Sequence, residues 1–474
     1  MSLSKWRIEG SVLRYGSSTS SDPTQHERVA YDMTVITRFA PSPTGNLHVG
    51  NIRAALHNWL WARKSGGQFL LRLDDTDLER SRPEYAQAIK ADLRWLGLHW
   101  DGEERQSDRF ALYEARFETL RASGHVYPAY ETAQELDLRR KVLLGRGLPP
   151  VYDRAALSLT PDQIAAYEAE GRQPHWRFRL NHDQPIVWTD LIRGEQRFDP
   201  KLLSDPVIRR ADGSWLYMLP SVIDDIAMGV THVLRGEDHV SNTATQIQMF
   251  TALGASLPAF AHEALLTGSE GKLSKRLGSL GVAHFREIGL EPVAIASLLA
   301  RLGSSMPVEP FADMQPLIDS FDFAHFGRAP ARFDEAELAT LNQKIVHLLP
   351  YAAVADRLPK GMDEAAWDAI RPNLETVAGA ADWWRIVTGP IDAPTPAEED
   401  RDFLAMAHNI LSETPFDAAI WRTLTEALKA ETGRKGKTLF LPLRRALTGM
   451  DHGPDMGQML PLIGRDEALR RLKS

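Results

Sequence analysis

Residues 34–39 read as a short buried strand, and Pro41, Pro43 and Gly45 behind it force an irregular loop. Ile52, Ala55, Leu56, Trp59 and Leu60 follow at the i, i+3, i+4, i+7, i+8 spacing of one apolar helical face, and Gly66-Gly67 closes that helix. Residues 69–73 form a second apolar strand that runs into Asp74, Asp75 and Asp77. The pattern then predicts another helix, with Ser81 as candidate N-cap, Pro83 in its first turn, Tyr85, Ile89, Leu93 and Leu96 on one face, and Gly97 past its end. Strand, helix, strand, helix is the opening of a parallel α/β sheet.

From about residue 106 to 206 the pattern changes to helices, proline-containing loops and short strands, which predicts an inserted domain. The sheet is then expected to resume, with a hairpin over 207–218 turning at Asp212-Gly213 and a buried strand over 231–234. Helical periodicity dominates from about residue 285, broken at 307–310, Pro350, Pro359 and 390–396, so the last third is expected to be all-helical. A chain of 474 residues needs several such units. Residues 1–32 are polar and lack the apolar segment of a secretory signal; they read as a weakly ordered extension, with Met33 a candidate functional start.

Composition narrows the chemistry. No apolar run approaches the roughly 20 residues of a membrane span. The absence of cysteine excludes disulfides, thiolate nucleophiles and cysteine-based zinc sites. A net charge of -8 does not exclude a polyanionic partner, because phosphate contacts depend on local basic patches.

Two segments carry candidate chemistry. In Pro41-Ser-Pro-Thr-Gly-Asn-Leu-His48-Val-Gly50-Asn51 a rigid loop leads into a helix N-terminus, where unpaired backbone N–H groups and the helix dipole favour an anion. Gly50 admits a nucleotide close to the backbone, and His48 can donate to phosphate oxygens as charge develops. Lys272-Leu-Ser-Lys275-Arg276, flanked by Gly268, Gly271 and Gly278, is a glycine-bounded loop with three cations suited to a triphosphate. Alone, the first is equally a helix cap with a surface histidine and the second a solvated basic face. Paired across more than 200 residues around a resumed sheet, they have the arrangement of class I aminoacyl-tRNA synthetases.

From Met33 to the C-terminus the chain resembles glutamyl-tRNA synthetases. Thr37-Arg-Phe-Ala-Pro-Ser-Pro-Thr-Gly is similar to that family's opening signature, His48-Val-Gly50-Asn51 to its HIGH motif, and Lys272-Leu-Ser-Lys275-Arg276 to its KMSKS loop. Asp224-Asp225, Met228-Gly-Val-Thr and Arg235-Gly-Glu-Asp238-His239 resemble its second half-sheet. The resemblance implies a Rossmann-type α/β catalytic domain in two halves, 33–105 and 207–266, split by an α+β acceptor-stem-binding insert over 106–206. It further implies a stem-contact domain over 267–335 and an all-α anticodon-binding region over 336–474 that divides near 391.

The implied reaction is ATP-dependent activation of L-glutamate and its transfer to tRNA-Glu, with tRNA-Gln a second candidate acceptor. Mg2+ would travel with the nucleotide, no zinc is expected, and the enzyme would be a cytoplasmic monomer. Arg38 and Arg235 would meet the glutamate carboxylates, Ala40, Ser42 and Ser221 would line the pocket, Tyr217 would close it and Asp74 would hold the α-ammonium. Gly50, Asp238 and the backbone at Leu266 would contact the nucleotide, with His48, Lys272, Lys275 and Arg276 on its phosphates. Asp75 and Asp77 fit caps or loop anchors better than ligands. Arg434, Lys435, Lys437, Arg444 and Arg445, around an apolar stretch at 439–443, are the candidate tRNA contacts. Asp74 and Ser221 depart from the Glu and Asn common in the family, and Asp-Asp at 224–225 is familiar from glutaminyl-tRNA synthetases. A glutaminyl enzyme and a small-molecule nucleotidyltransferase of the same fold are therefore the alternatives.

Overall fold

The computed structural model describes residues 34–268, 271–272 and 280–473; the extension expected over 1–32, and Met33, lie outside them. The chain opens with β1 (Ile36–Phe39), α1 (Val49–Lys64), β2 (Gln68–Leu73), α2 (Pro83–Trp95) and β3 (Gly102–Arg105), whose strands pair in parallel in the order β1-β2-β3. The turn between α1 and β2 needs glycine: Gly66 sits at a φ of +61°, and a Cβ on Gly67 would overlap the Val35 carbonyl oxygen. Ser81 is not the cap of α2. Arg82 takes that place with Pro83 at the first helical position, where the missing N–H costs nothing.

Next come α3 (Phe110–Ala122), β4 (Val126–Ala129), α4 (Ala133–Gly145), α5 (Pro161–Ala169), β5 (His175–Phe178), β6 (Ile186–Asp190), β7 (Gly194–Phe198) and β8 (Val207–Arg209). They are followed by α6 (Met218–Ala227), β9 (His232–Gly236), α7 (Val240–Ala252) and β10 (Ala259–Glu263). Strand pairing crosses the boundary expected at 206. The β6-β7 hairpin joins the sheet β7-β6-β10-β9, whereas β8 pairs antiparallel with β5 in the sheet β4-β5-β8. The expected hairpin over 207–218 reduces to a tight turn at Asp212-Gly213 with one bridge, Arg209 to Trp215, before α6 begins.

The parallel sheet β1-β2-β3 and the mixed sheet β7-β6-β10-β9 meet at one seam: Thr231 N–H donates to Ile36 O (2.9 Å) and Ile36 N–H to Thr231 Oγ1 (2.8 Å). Strands thus run β3-β2-β1, then β9-β10-β6-β7, and the order reverses between β1 and β9. The crevice beyond the carboxyl ends of such a pair is the usual ligand position in an open α/β sheet.

Beyond it lie β11 (Leu266–Gly268), β12 (Gly271–Lys272), α8 (Val282–Glu287), α9 (Pro292–Leu299), α10 (Gln315–Ser320) and β13 (Ala331–Arg332), the last pairing in parallel with β11. The rest is helical: α11 (Glu335–Val346), α12 (Glu364–Ile370), α13 (Ala380–Thr388), α14 (Glu398–Glu413), α15 (Ile420–Thr432), α16 (Lys437–Thr448), α17 (Met456–Ile463) and α18 (Arg465–Leu472). One apolar core runs from Phe39 and α1 through Trp367 to Leu472, and a second joins α3, β5 and β6 to α6, α7 and β10. Among the described residues no helix is long and apolar enough to cross a membrane.

Candidate active site

His48 is the N-cap of α1. Its Nδ1 accepts from Gly50 N–H (3.2 Å) and its own N–H donates to Asn51 Oδ1 (3.4 Å), a reciprocal capping box. A Cβ on Gly50 would stand 3.1 Å from His48 Cε1, so glycine gives the ring its seat. Because Nδ1 is an acceptor, the neutral imidazole carries its proton on Nε2, and burial lowers its pKa so that this form prevails at neutral pH. Val49 N–H donates to Leu280 O (3.1 Å) and His48 bridges Gly281 antiparallel. Lys272 belongs to β12, paired with Thr267; Lys275 and Arg276 lie outside the described residues.

Beside this corner is a buried ion network. Arg72, 1% exposed in β2, donates from Nε and Nη2 to both Asp74 oxygens (2.6 and 3.1 Å) and from Nη1 to Asp225 Oδ1 (2.7 Å). Its Nη2 also reaches Ser221 Oγ (3.3 Å). Arg38 takes Asp225 bidentately (3.0 and 3.4 Å), which commits its Nε and Nη2 to the protein. Asp224 accepts from Arg109 Nε (2.6 Å), Tyr113 OH (2.6 Å) and Gln106 Nε2 (2.9 Å). Burial would raise the Asp225 carboxyl, but the guanidiniums of Arg38 and Arg72 outweigh it and hold it below the usual carboxylate range. Three guanidiniums, at 38, 72 and 109, face three inner carboxylates, at 74, 224 and 225, and Arg109 also pairs with Glu104 at the rim (3.0 Å), so every guanidinium of this group has a carboxylate partner.

Arg235, at the carboxyl end of β9, is not balanced. Its Nη2 donates to Thr243 Oγ1 (2.6 Å) and Gln246 Oε1 (2.7 Å) and its Nε to His262 Nε2 (3.3 Å), all neutral acceptors. No carboxylate lies within 4.0 Å of it among the described residues. Burial, with the nearby Arg38 charge, pulls its pKa down to about 10, still charged at neutral pH. A half-buried cation whose hydrogen-bond acceptors are all neutral is a place for an anionic ligand.

The other expected residues gather around these groups. Asp74 N–H donates to Pro41 O (3.0 Å), which brings half-buried Ala40 and exposed Ser42 to the network. The Tyr217 hydroxyl pairs with the Asn242 amide, and its ring stands edge-on to His239 at 6.2 Å. Glu237 accepts from Leu265 N–H (3.1 Å), so exposed Asp238 neighbours the start of β11 at Leu266. Asp75 accepts from Ser107 N–H and Oγ (2.8 Å each) and Asp77 from Arg80 N–H (3.1 Å): both are loop anchors.

The tail cations divide. Arg434 pairs with Asp400 (2.5 Å) and lies over Phe403, Arg445 grips Asp451 (2.6 and 2.9 Å), and half-buried Arg444 donates to Pro454 O (3.0 Å). Lys435 and Lys437 are exposed. Arg72, His262 and Asp190 were missed in the sequence, although a charged group inside an apolar strand is itself a signal.

A strand order that reverses between β1 and β9, with a histidine-capped helix behind the first strand, is the framework of a nucleotide-binding α/β domain. The family described as tRNA synthetases class I (E and Q), catalytic domain, matches residues 34–340, and an anticodon binding domain matches 346–474. The chain belongs to the class I tRNA synthetases (E and Q), whose reaction uses ATP. It is 68% identical to Glutamate--tRNA ligase 1 of Rhizorhabdus wittichii, over 93% of this chain and 99% of that one. It is likewise 68% identical to Glutamate--tRNA ligase 1 of Novosphingobium aromaticivorans, over 93% and 100%. Among solved structures it resembles a glutamate tRNA ligase from Elizabethkingia meningosepticum in complex with its amino acid, at 28% identity and a TM-score of 0.80, over 93% of this chain and 98% of that one.

Proposed function

We propose that the chain is a glutamate-tRNA ligase that activates L-glutamate with ATP and transfers it to the 3′ end of tRNA-Glu. The observation that carries the amino-acid assignment is the unbalanced Arg235 guanidinium, since a carboxylate supplies the missing charge and a neutral amide does not. Arg38 adds the nitrogen that Asp225 leaves free, Asp74 meets the α-ammonium, Ala40, Ser42 and Ser221 line the pocket, and Tyr217 closes it. A glutamate carboxylate oxygen attacks the α-phosphate of ATP, pyrophosphate leaves, and a ribose hydroxyl of the tRNA terminal adenosine displaces AMP from the mixed anhydride. Positioning and charge stabilisation dominate, because both leaving groups are good. His48 Nε2–H, Gly50, the Leu266 backbone and Asp238 hold the nucleotide, with Lys272, Lys275 and Arg276 on its phosphates. Mg2+ enters with those phosphates; among the described residues no cluster of three or more His, Asp or Glu could hold a metal.

The sheet β4-β5-β8 with α3 to α5 takes the acceptor stem and the terminal helices the anticodon, in a cytoplasmic monomer. Labelled glutamate and glutamine offered with purified tRNA-Glu and tRNA-Gln test the whole assignment. Glutamate on tRNA-Glu is expected, and glutamine esterification would sink it.

His48→Asn separates cap from chemistry. Asparagine caps as well as any residue, so the thermal midpoint should stay put, while its shorter amide cannot carry a donor out to the position of Nε2–H, which slows ATP-pyrophosphate exchange about ten- to a hundredfold, the worth of a hydrogen bond to a charged group. An unaltered rate would remove His48 from the nucleotide site. For the tail, Lys435→Ala with Lys437→Ala should raise the tRNA KM several-fold and flatten its salt dependence by a slope of about 1.5, with the glutamate KM constant. A steady tRNA KM across salt would remove this patch from the interface.

A further inference from the structure

Arg235 and His262 stand directly opposite each other in the parallel pair β9-β10, and Asp190 ends the next strand, β6. Fully buried Asp190 accepts from the backbone N–H groups of Ile192 (3.1 Å), Arg193 (2.9 Å) and His262 (3.1 Å), which immobilise it. Its Oδ2 lies 2.5 Å from His262 Nδ1. The opposite ring nitrogen, Nε2, faces Arg235 Nε at 3.3 Å and Thr243 Oγ1 at 2.8 Å. A guanidinium only donates, so Nε2 must hold a lone pair and the ring proton must sit on Nδ1, directed at Asp190. Burial outweighs the Asp190 charge and keeps the His262 pKa below its ordinary value, consistent with a neutral ring.

We propose that Asp190 and His262 are positioning residues that fix Arg235 for carboxylate recognition, Asp190 by dictating which nitrogen of His262 accepts. Neither touches the amino acid. With Nε given to His262 and both Nη2 hydrogens to Thr243 and Gln246, the two N–H groups of Nη1 remain for a ligand. All three direct acceptors are neutral, so the guanidinium is oriented without being neutralised. The nearest carboxylate in the chain of bonds stands one imidazole away. A carboxylate bonded directly to Arg235 would cancel the charge that separates glutamate from glutamine.

The inference rests on the reading of Arg235 as a glutamate ligand, and the experiment keeps the two apart. ATP-pyrophosphate exchange by the full chain, with tRNA-Glu present, is measured for Asp190→Asn, His262→Phe, His262→Gln and Arg235→Gln, varying glutamate and ATP separately. In Asp190→Asn the new amide donates to Nδ1, moves the proton to Nε2 and sets it against Arg235 Nε–H. The glutamate KM should rise about tenfold or more, the ATP KM should hold, and discrimination against glutamine should narrow. His262→Phe should behave alike, whereas His262→Gln, which restores an acceptor near Nε2, should recover most of the loss; a merely structural role would not produce that split or rescue. If Arg235→Gln leaves the glutamate KM unchanged, the reading of Arg235 falls. If Arg235→Gln raises it and neither folded relay variant does, the relay falls alone. Should Asp190→Asn not fold, the His262 pair decides: equal glutamate KM for phenylalanine and glutamine overturns the relay.

Discussion

Arg235→Gln is expected to lower kcat/KM for glutamate about a thousandfold, leave the ATP KM in place and not destabilise the protein. Removing one member of a buried, hydrogen-bonded charge pair costs about 2–5 kcal/mol of binding, and about 4 kcal/mol is a factor of a thousand. The partner charge here is supplied by substrate, so the loss falls on catalysis. In the free protein the change runs the other way. Arg235 is a half-buried cation whose direct hydrogen bonds are all to neutral acceptors, and desolvation has already pulled its pKa to about 10. Replacing it with a neutral amide relieves that penalty. Activity with glutamate should collapse while the unfolding midpoint stays level or rises. Parallel loss of both would mean that Arg235 holds the fold rather than the substrate.

Arg235 and the neighbouring ion network, both built from residues far apart along the chain, mark where sequence stops being informative. The alternation of apolar strand and amphipathic helix over the first hundred residues is a local property, and it gives β1, α1, β2 and α2 nearly to the residue. His48 is legible for the same reason, since its cap partners Gly50 and Asn51 are two and three positions away. The division of the strands is not legible. β6 is short and amphipathic, and only β10, arriving some 70 residues later, draws it into the catalytic sheet. Charge pairing is equally non-local. Arg38 reads as a free ligand group until Asp225 appears against it, and Arg434 reads as a phosphate contact until Asp400, on α14, takes it. Arg72 escaped because a strand of five apolar-looking positions absorbs one charge without breaking its pattern, although that lone guanidinium ties β2 to α6.

Arg72→Met should therefore be among the most damaging single changes outside the hydrophobic core, costing about 3–5 kcal/mol near pH 7, the loss typical when one partner of a buried ion pair is removed. Methionine fills the space but leaves Arg38 and Arg109 facing Asp74, Asp224 and Asp225, so one buried carboxylate has no cation. The sign of the pH dependence follows from Asp225, whose folded pKa is depressed below 3.8. Its stabilisation is complete above 3.8 and is lost as pH falls through the lowered value. Without Arg72 that depression shrinks and the orphaned carboxyl takes up a proton at higher pH. The deficit relative to the parent should thus be largest at neutral pH and contract as the solution is acidified toward the carboxylate range. Asp74→Asn in the Arg72→Met background should return part of the loss, because the two residues form one pair and their effects are not additive. Urea unfolding of the parent, the single and the double variant at several pH values measures all three expectations. A deficit that is independent of pH and unrelieved by Asp74→Asn would show that Arg72 acts through packing, not through charge.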